Sequence, residues 1–326
     1  MIERPGRLLV VGFPGTTPPP ELFSFARKWG LAGVILFSRN VPEGTDVARL
    51  VASVRQGLAE ADPGSPALVL VDQEGGRVER IRHGVPRLPP ARELGARPLA
   101  ELASRVEAQA RALAGLGIDV NLAPVCDLPA EGESGVIGNR AFGSDPRAVA
   151  ACVRAHVRAC LGGGVAPCAK HFPGHGRARA DSHRRLPTVR SGWDDLWGRD
   201  LVPFRAAVAA GAPLVMAGHL RFPAVDPRPA SLSRAWIEEV LRRRMGFAGA
   251  VISDDMEMGA LDGLGAPAEL AVRAVAAGCD LLIYGRTLRP DLPLEPVTEA
   301  LGRRLGPDRA EQAGRRVGRV RRGEAP

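Results

Sequence analysis

Lysine is almost absent from this chain. Lys28 and Lys170 are the only two among 326 residues, and arginine carries nearly all the remaining positive charge. Where a chain uses arginine everywhere else, a lysine marks a place that needs a compact ammonium and not a guanidinium fork. Cysteine is sparse as well. Cys126, Cys152, Cys160, Cys168 and Cys279 are odd in number, scattered, and never in C-x-x-C spacing. That argues against a disulfide framework or a thiolate metal knuckle and fits small buried side chains in a reducing compartment. No apolar run approaches the length of a membrane span. The start Met1-Ile2-Glu3-Arg4-Pro5-Gly6 lacks a secretory pattern. The expectation is a soluble cytoplasmic protein with no membrane partner.

The net charge is +8, yet no recognised nucleic-acid motif accompanies it, so no nucleic-acid partner is expected. The clusters Arg242-Arg243-Arg244 and Arg315–Arg322 read as solvated helix faces. There is no internal repeat and no low-complexity linker. The chain is therefore expected to form one domain over 1–326, its arginine-rich end after Gly302 being a last helix followed by a loose basic tail from about 312 to 326. The oligomeric state is left open, a monomer being compatible with the chain.

Eight short β-rich apolar runs are present. They are Leu8–Phe13, Gly33–Phe37, Ala67–Asp72, Ile118–Val125, Val165–Lys170, Leu214–Gly218, Ala250–Asp254 and Asp280–Tyr284. Between them lie helical patterns such as Thr45–Leu58, Leu99–Leu116, Pro146–Leu161, Leu201–Ala210, Leu232–Met245 and Pro267–Ala277. Near-continuous hydrophobic strands alternating with helices point to a parallel sheet covered on both faces. Eight such units predict an α/β fold, a (β/α)8 TIM-like barrel, with a doubly wound open sheet as the alternative. Polar or aromatic groups close six of the runs: Asp72, Asp127, Lys170-His171, His219, Asp254 and Tyr284. In a barrel these ends converge on one pocket.

The most informative stretch is Ala169-Lys170-His171-Phe172-Pro173-Gly174-His175-Gly176, closed by Asp181-Ser182-His183. Three of the six histidines fall within it, together with Lys170. Proline and glycine shape such a loop and let its backbone approach a ligand. Asp181 two residues before His183 can fix the imidazole tautomer and raise the basicity of the other ring nitrogen, which makes a general acid/base. His175 reads as a hydrogen-bonder that holds the loop. His171-x3-His175 also invites a zinc reading, with His183 as a third ligand. Pro173 and Gly174 break any helix between them and no H-E-x-x-H is present, so no metal and no cofactor is expected. Asp254, still on a strand in Ser253-Asp254-Asp255-Met256, is the candidate carboxylate nucleophile. Asp255 reads equally as a helix cap. Asp72 could accept two hydroxyl groups, Arg77 and Arg80 could pair internally or face a substrate, and Arg140 could orient a polar group.

Taken together, five motifs in this order resemble glycoside hydrolase family 3, within it the single-domain β-N-acetylglucosaminidases (β-hexosaminidases) of the NagZ type. They are Asp72-Gln73-Glu74-Gly75-Gly76-Arg77, Ile137-Gly138-Asn139-Arg140-Ala141-Phe142-Gly143, Lys170-His171-Phe172-Pro173-Gly174-His175-Gly176, Asp181-Ser182-His183 and Ser253-Asp254-Asp255-Met256. The resemblance implies a retaining exo-β-N-acetylglucosaminidase that removes terminal β-linked N-acetylglucosamine, with cytoplasmic muropeptides of peptidoglycan recycling as substrate. It implies Asp254 as nucleophile, His183 as acid/base with Asp181 as dyad partner, and Asp72, Arg80, Arg140, Lys170 and His171 as sugar-binding residues. His219 and Met256 are expected near the site. Tyr284-Gly285-Arg286 and Asn139 depart from the pattern usual in such relatives, which bears on substrate preference. The alternatives are a family 3 β-glucosidase or broad-specificity exo-glycosidase, a glycoside phosphorylase on the same barrel, or a sugar-binding protein without catalysis.

Overall fold

The computed structural model describes residues 2–129, 136–178, 180–287, 289 and 291–324. Eight parallel strands close into a barrel: β1 Leu9–Val11, β2 Gly33–Leu36, β3 Leu68–Val71, β4 Val120–Asn121, β5 Ala166–Phe172, β6 Leu214–Ala217, β7 Ala250–Asp255 and β8 Leu281–Tyr284. Each strand pairs with its neighbour in sequence, and β8 returns to β1 with Leu9 opposite Leu282. All eight fall within the apolar runs read from the sequence or overlap them, and the open-sheet alternative is set aside by closure. Closure leaves no sheet edge, so every central strand is covered on both faces and can be apolar throughout.

The period-2 pleat sorts these apolar residues into two cores. Val10, Ile35, Leu68, Leu70, Val120, Cys168, Met216, Ile252 and Ile283 fill the barrel interior. Their neighbours Val69, Val71, Val215, Val251, Leu282 and Tyr284 belong to the layer between barrel and helices. Gly33 allows β2 and β3 to approach, since a Cβ there would stand 2.1 Å from the Leu68 carbonyl oxygen.

The outer ring is helical: α1 Pro20–Trp29, α2 Val47–Ala61, α3 Leu99–Gly115, α4 Pro146–Gly162, α5 Val202–Ala209, α6 Ala235–Arg244, α7 Pro267–Ala277, α8 Glu295–Arg304 and α9 Pro307–Arg322. Starts follow ordinary capping chemistry. Asp46 accepts the Arg49 N–H at 3.0 Å and Asp145 accepts that of Ala148 at 2.6 Å. Helix α6 winds as a π-helix. Two small antiparallel hairpins, Gln73–Gly75 with Val78–Glu79 and Arg221–Phe222 with Asp226–Pro229, rise from the strand ends.

One expectation needs correction. The segment from about 312, read as a loose tail, is part of α9, which runs to Arg322; residues 325–326 lie outside the described residues. Val317 and Val320 of α9 join the barrel-interior cluster. Arg309 and Arg316 each reach Asp280 Oδ1 at 3.0 Å, and Arg242 reaches Oδ2 at 2.8 Å. The last helix thus extends through the expected tail; its sparse apolar residues close the barrel floor and its basic residues clamp a buried carboxylate.

Candidate active site

The strand ends surround a cavity of about 220 Å³. Asp72, Glu74, Arg80, Arg140, Lys170, His171, His175, Ser182, His183, Asp254 and Asp255 line it, with Ile35, Leu122, Met216 and Ile283 forming an apolar floor. Residues separated by nearly two hundred positions in sequence therefore meet at the carboxyl ends of the strands, as a closed barrel requires.

One wall is a chain of alternating charges. Lys170 Nζ lies 2.7 Å from Asp72 Oδ1 and 2.7 Å from Glu74 Oε1. Arg140 grips the same Glu74 through two parallel bonds of 2.8 and 2.7 Å. Arg80 lies 3.4 Å from Asp72. Burial alone would raise the Asp72 and Glu74 carboxyls, but Lys170 with Arg80 on one and Arg140 on the other holds both below the ordinary range. Lys170 is 2% exposed, and its ammonium stays charged because two carboxylates outweigh the burial cost. A compact ammonium can bridge two acids at once, which accounts for a lysine in an arginine-rich chain. Arg80 thus pairs internally while still lining the cavity, and Arg77 turns away to the Val136 carbonyl at 2.7 Å.

A second network shapes the loop after β5. The fully buried Asp127 receives the N–H groups of His171 at 3.3 Å and His175 at 2.6 Å through Oδ1, and Oδ2 takes the His171 ring at Nδ1, 2.7 Å away. His175 Nε2 meets Ser182 Oγ at 2.8 Å. His175 is therefore a loop-holding residue, as its sequence context indicated. Asp181 Oδ1 lies 3.0 Å from His183 Nδ1. The bond leaves Nε2 as the ring nitrogen open to chemistry, on an exposed side chain at the cavity opening.

Asp254 is half-buried at the end of β7. Its Oδ1 accepts the Asp255 N–H at 2.9 Å, and among the described residues the carboxylate makes no side-chain hydrogen bond. Burial pushes the group up, yet His171, His219 and the Asp255 N–H together hold it below the usual carboxylate value. It is an ionised carboxylate in a cavity that also holds the His183 imidazole. Neighbouring Asp255 goes the other way: burial and the nearby Glu257 raise it to about 7. It accepts the N–H groups of Glu257 at 3.0 Å and Gly285 at 3.3 Å, a turn-forming role.

Three expected residues sit behind the cavity wall. His219 is fully buried, donates from Nε2 to the Asp255 carbonyl at 3.0 Å, and takes Ser231 Oγ at Nδ1, 2.7 Å away. Burial lowers its basicity, and the ring supports the Asp254 strand through its bond to the Asp255 carbonyl. Met256 packs into the layer between barrel and helices. Tyr284, expected to reach the pocket, occupies the same outer layer because its pleat position faces the helices; Ile283 faces the cavity instead. The zinc arrangement does not assemble. His171, His175 and His183 each spend a ring nitrogen on a different partner, and among the described residues no group of three or more His, Cys, Asp or Glu could hold a metal ion.

Sequence reasoning gave Glu74 no site role and placed Asp127 only among the converging strand ends, without its histidine partners. Glu74 stood only inside the Asp72–Arg77 motif, although a buried acid needs cationic partners and two candidates, Lys170 and Arg140, were already named.

A barrel with an ionised strand-end aspartate facing an Asp–His pair has the composition of a glycoside-cleaving enzyme. Comparison with known proteins makes this definite. The family model described as the glycosyl hydrolase family 3 N terminal domain matches residues 6–320. A beta-hexosaminidase of Xanthomonas oryzae pv. oryzae is 40% identical over 309 residues, covering 91% of this chain and 88% of the relative. A family 3 beta-N-acetylglucosaminidase structure from Paenibacillus superposes with TM-score 0.90 at 34% identity over 98% of this chain, which spans only 62% of that protein. NagZ from Neisseria gonorrhoeae, in complex with N-trifluoroacetyl-D-glucosamine, superposes with TM-score 0.76 at 29% identity over 97% of this chain and 98% of the other. The chain belongs to glycosyl hydrolase family 3 and is a glycoside hydrolase.

Proposed function

We propose that this protein is a retaining exo-β-N-acetylglucosaminidase acting on terminal β-linked N-acetylglucosamine. The observation that carries the reading is the convergence, in one cavity, of an ionised Asp254 and an imidazole, His183, oriented at 3.0 Å by Asp181. Asp254 attacks the anomeric carbon as His183 protonates the departing glycosidic oxygen through Nε2. The sugar is then held on Asp254 as an ester. His183, now neutral, takes a proton from water, and the resulting attack releases the sugar with its configuration retained. Asp254 is the anionic partner of the oxocarbenium-like transition state. A neutral imidazole after the first proton transfer spares it the repulsion a second carboxylate would bring.

Asp72, Arg80, Arg140, Lys170 and His171 form the sugar-binding wall. The carboxylate of Asp72 accepts hydroxyls, and Lys170, spending two directions on Asp72 and Glu74, retains a third N–H. The relatives named beta-hexosaminidase and the Neisseria protein's acylamino-sugar complex support a 2-acetamido substrate. The finer reading is a muropeptide aglycone in the cytoplasm, consistent with a chain of net charge +8 meeting anionic lactyl and peptide carboxylates.

Release of 4-nitrophenol from the β-N-acetylglucosaminide and the β-glucoside, side by side with EDTA present, tests the proposal. Turnover confined to the acetamido sugar supports it. Equal or faster turnover of the glucoside removes the sugar assignment and the peptidoglycan role with it. Trapping a 5-fluoro sugar on Asp254, read by mass spectrometry, checks the covalent step.

A further inference from the structure

The segment that carries Asp254 also holds the loop that carries His183. Beyond β5 the chain runs over the cavity opening and docks against the short turn that follows β7. Two backbone bonds make the joint. The Gly259 N–H donates to the His183 carbonyl at 3.0 Å, and the Ala260 N–H donates to the Ser182 carbonyl at 3.0 Å. On the opposite side Ser182 Oγ meets His175 Nε2 at 2.8 Å, and His175 is itself 3% exposed and tied to Asp127.

Space at this joint is exhausted. A Cβ on Gly259 would stand 2.8 Å from the carbonyl oxygens of both His183 and Arg184, and 2.9 Å from the Arg184 carbonyl carbon. These are backbone atoms, so no side chain can rotate out of the way. Gly259 is not among the glycines with positive φ. Its value here is the missing side chain and not its conformational freedom.

We propose that Gly259 and Ser182 are positioning residues for the acid/base: they fasten residues 182–184 from two sides and so set where His183 stands relative to Asp254. Neither touches the reacting atoms. Gly259 lies five residues after the nucleophile, so one segment, 254–260, supplies Asp254 and also fixes the backbone of its catalytic partner. The separation of the two groups is then set by these two bonds and not by the rest of the loop. The inference rests on His183 being the acid/base.

That dependence shapes the test. In kcat/KM, which reports formation of the glycosyl-enzyme, an acid matters for a poor leaving group and hardly for a very good one. Gly259→Ala, Ser182→Ala and His183→Ala are compared on the phenyl and 2,4-dinitrophenyl β-N-acetylglucosaminides, with folding checked by thermal melting. His183→Ala should lose on the order of 10²-fold or more on the phenyl substrate and little on the dinitrophenyl one. Gly259→Ala should show the same pattern, about tenfold or more on the phenyl substrate alone, and Ser182→Ala a weaker version of it. Equal losses on both substrates, or no loss on either, in the variants that fold would overturn the positioning role. If Gly259→Ala fails to fold, the Ser182→Ala pattern decides. If His183→Ala itself shows no leaving-group dependence, the acid/base assignment fails and the inference falls with it; a normal His183→Ala pattern beside indifferent Gly259→Ala and Ser182→Ala variants sinks the inference alone.

Discussion

Asp181 uses a single oxygen, Oδ1, to hold both the backbone N–H and the ring Nδ1 of His183, each at 3.0 Å. The imidazole is thereby fixed in plane and in tautomer by a residue only two positions away. Asp181→Asn should preserve the loop and lose the charge that selects the tautomer. Its rate on 4-nitrophenyl β-N-acetylglucosaminide is expected to fall roughly 10²-fold, within the range general acid–base catalysis contributes. Wild-type rates in Asp181→Asn would remove the dyad from the mechanism.

Asp254→Ala should abolish turnover to the order of 10⁴-fold or more, as loss of an essential nucleophile does. The wild-type acid limb of kcat/KM should also lie below about pH 4, the ordinary aspartate value, because a depressed carboxyl remains ionised down to its lowered pKa. His171→Asn removes the main electrostatic partner opposing burial and should move that limb upward. A pH–rate profile of both proteins settles the point; an unmoved limb would show that His171 does not tune Asp254.

Lys170→Met should cost about 3–5 kcal/mol in urea unfolding, the usual price of leaving buried charge uncompensated. The buried carboxylates Asp72 and Glu74 would then face one another with only Arg80 and Arg140 at the ends of the chain. Adding Glu74→Gln should recover part of the loss, since it removes one of the two stranded charges. Additive losses would mean that the pair is not coupled.

Asp200 gives a pH dependence of opposite sign to the paired acids. It is buried behind Gly174, and burial raises it to about 6 although Arg177 and Arg199 lie 3.4 Å away. In the unfolded chain it titrates near 4. Below about pH 4 it is neutral in both states and costs nothing. Between about 4 and 6 the unfolded chain ionises while the folded protein resists, so stability falls through this window and stays lower above it. Asp200→Asn should therefore raise unfolding stability by on the order of 1–3 kcal/mol at about pH 8 and leave it unchanged at about pH 3.5. A gain of equal size at both values would contradict the titration.

The barrel was legible because all eight strands are short, apolar and separated by helical periodicity, and closure makes that pattern obligatory. The catalytic candidates were legible for a related reason: a charged residue ending a buried strand, such as Asp254 or Lys170, has no ordinary place there. What escaped was whatever depended on the pleat or on long-range pairing. Tyr284 and Ile283 differ by one position, yet only the second faces the cavity. Glu74 and Asp127 act through partners 96 and 44 residues away in sequence, Lys170 and His171, and no local spacing signals that. The full length and docking of helix α9 escaped because its buried apolar residues, Ala313, Val317 and Val320, are diluted by arginine.

That same helix carries a consequence for how the protein is made. Val317 and Val320 complete the interior of a barrel whose first strand begins at Leu9. On the ribosome the floor stays unsealed, and apolar strand ends stay wet, until α9 has emerged. Folding of the core therefore waits on the emergence of α9, and a transcript truncated within α9 should yield a product that chaperones and proteases recognise as unfinished.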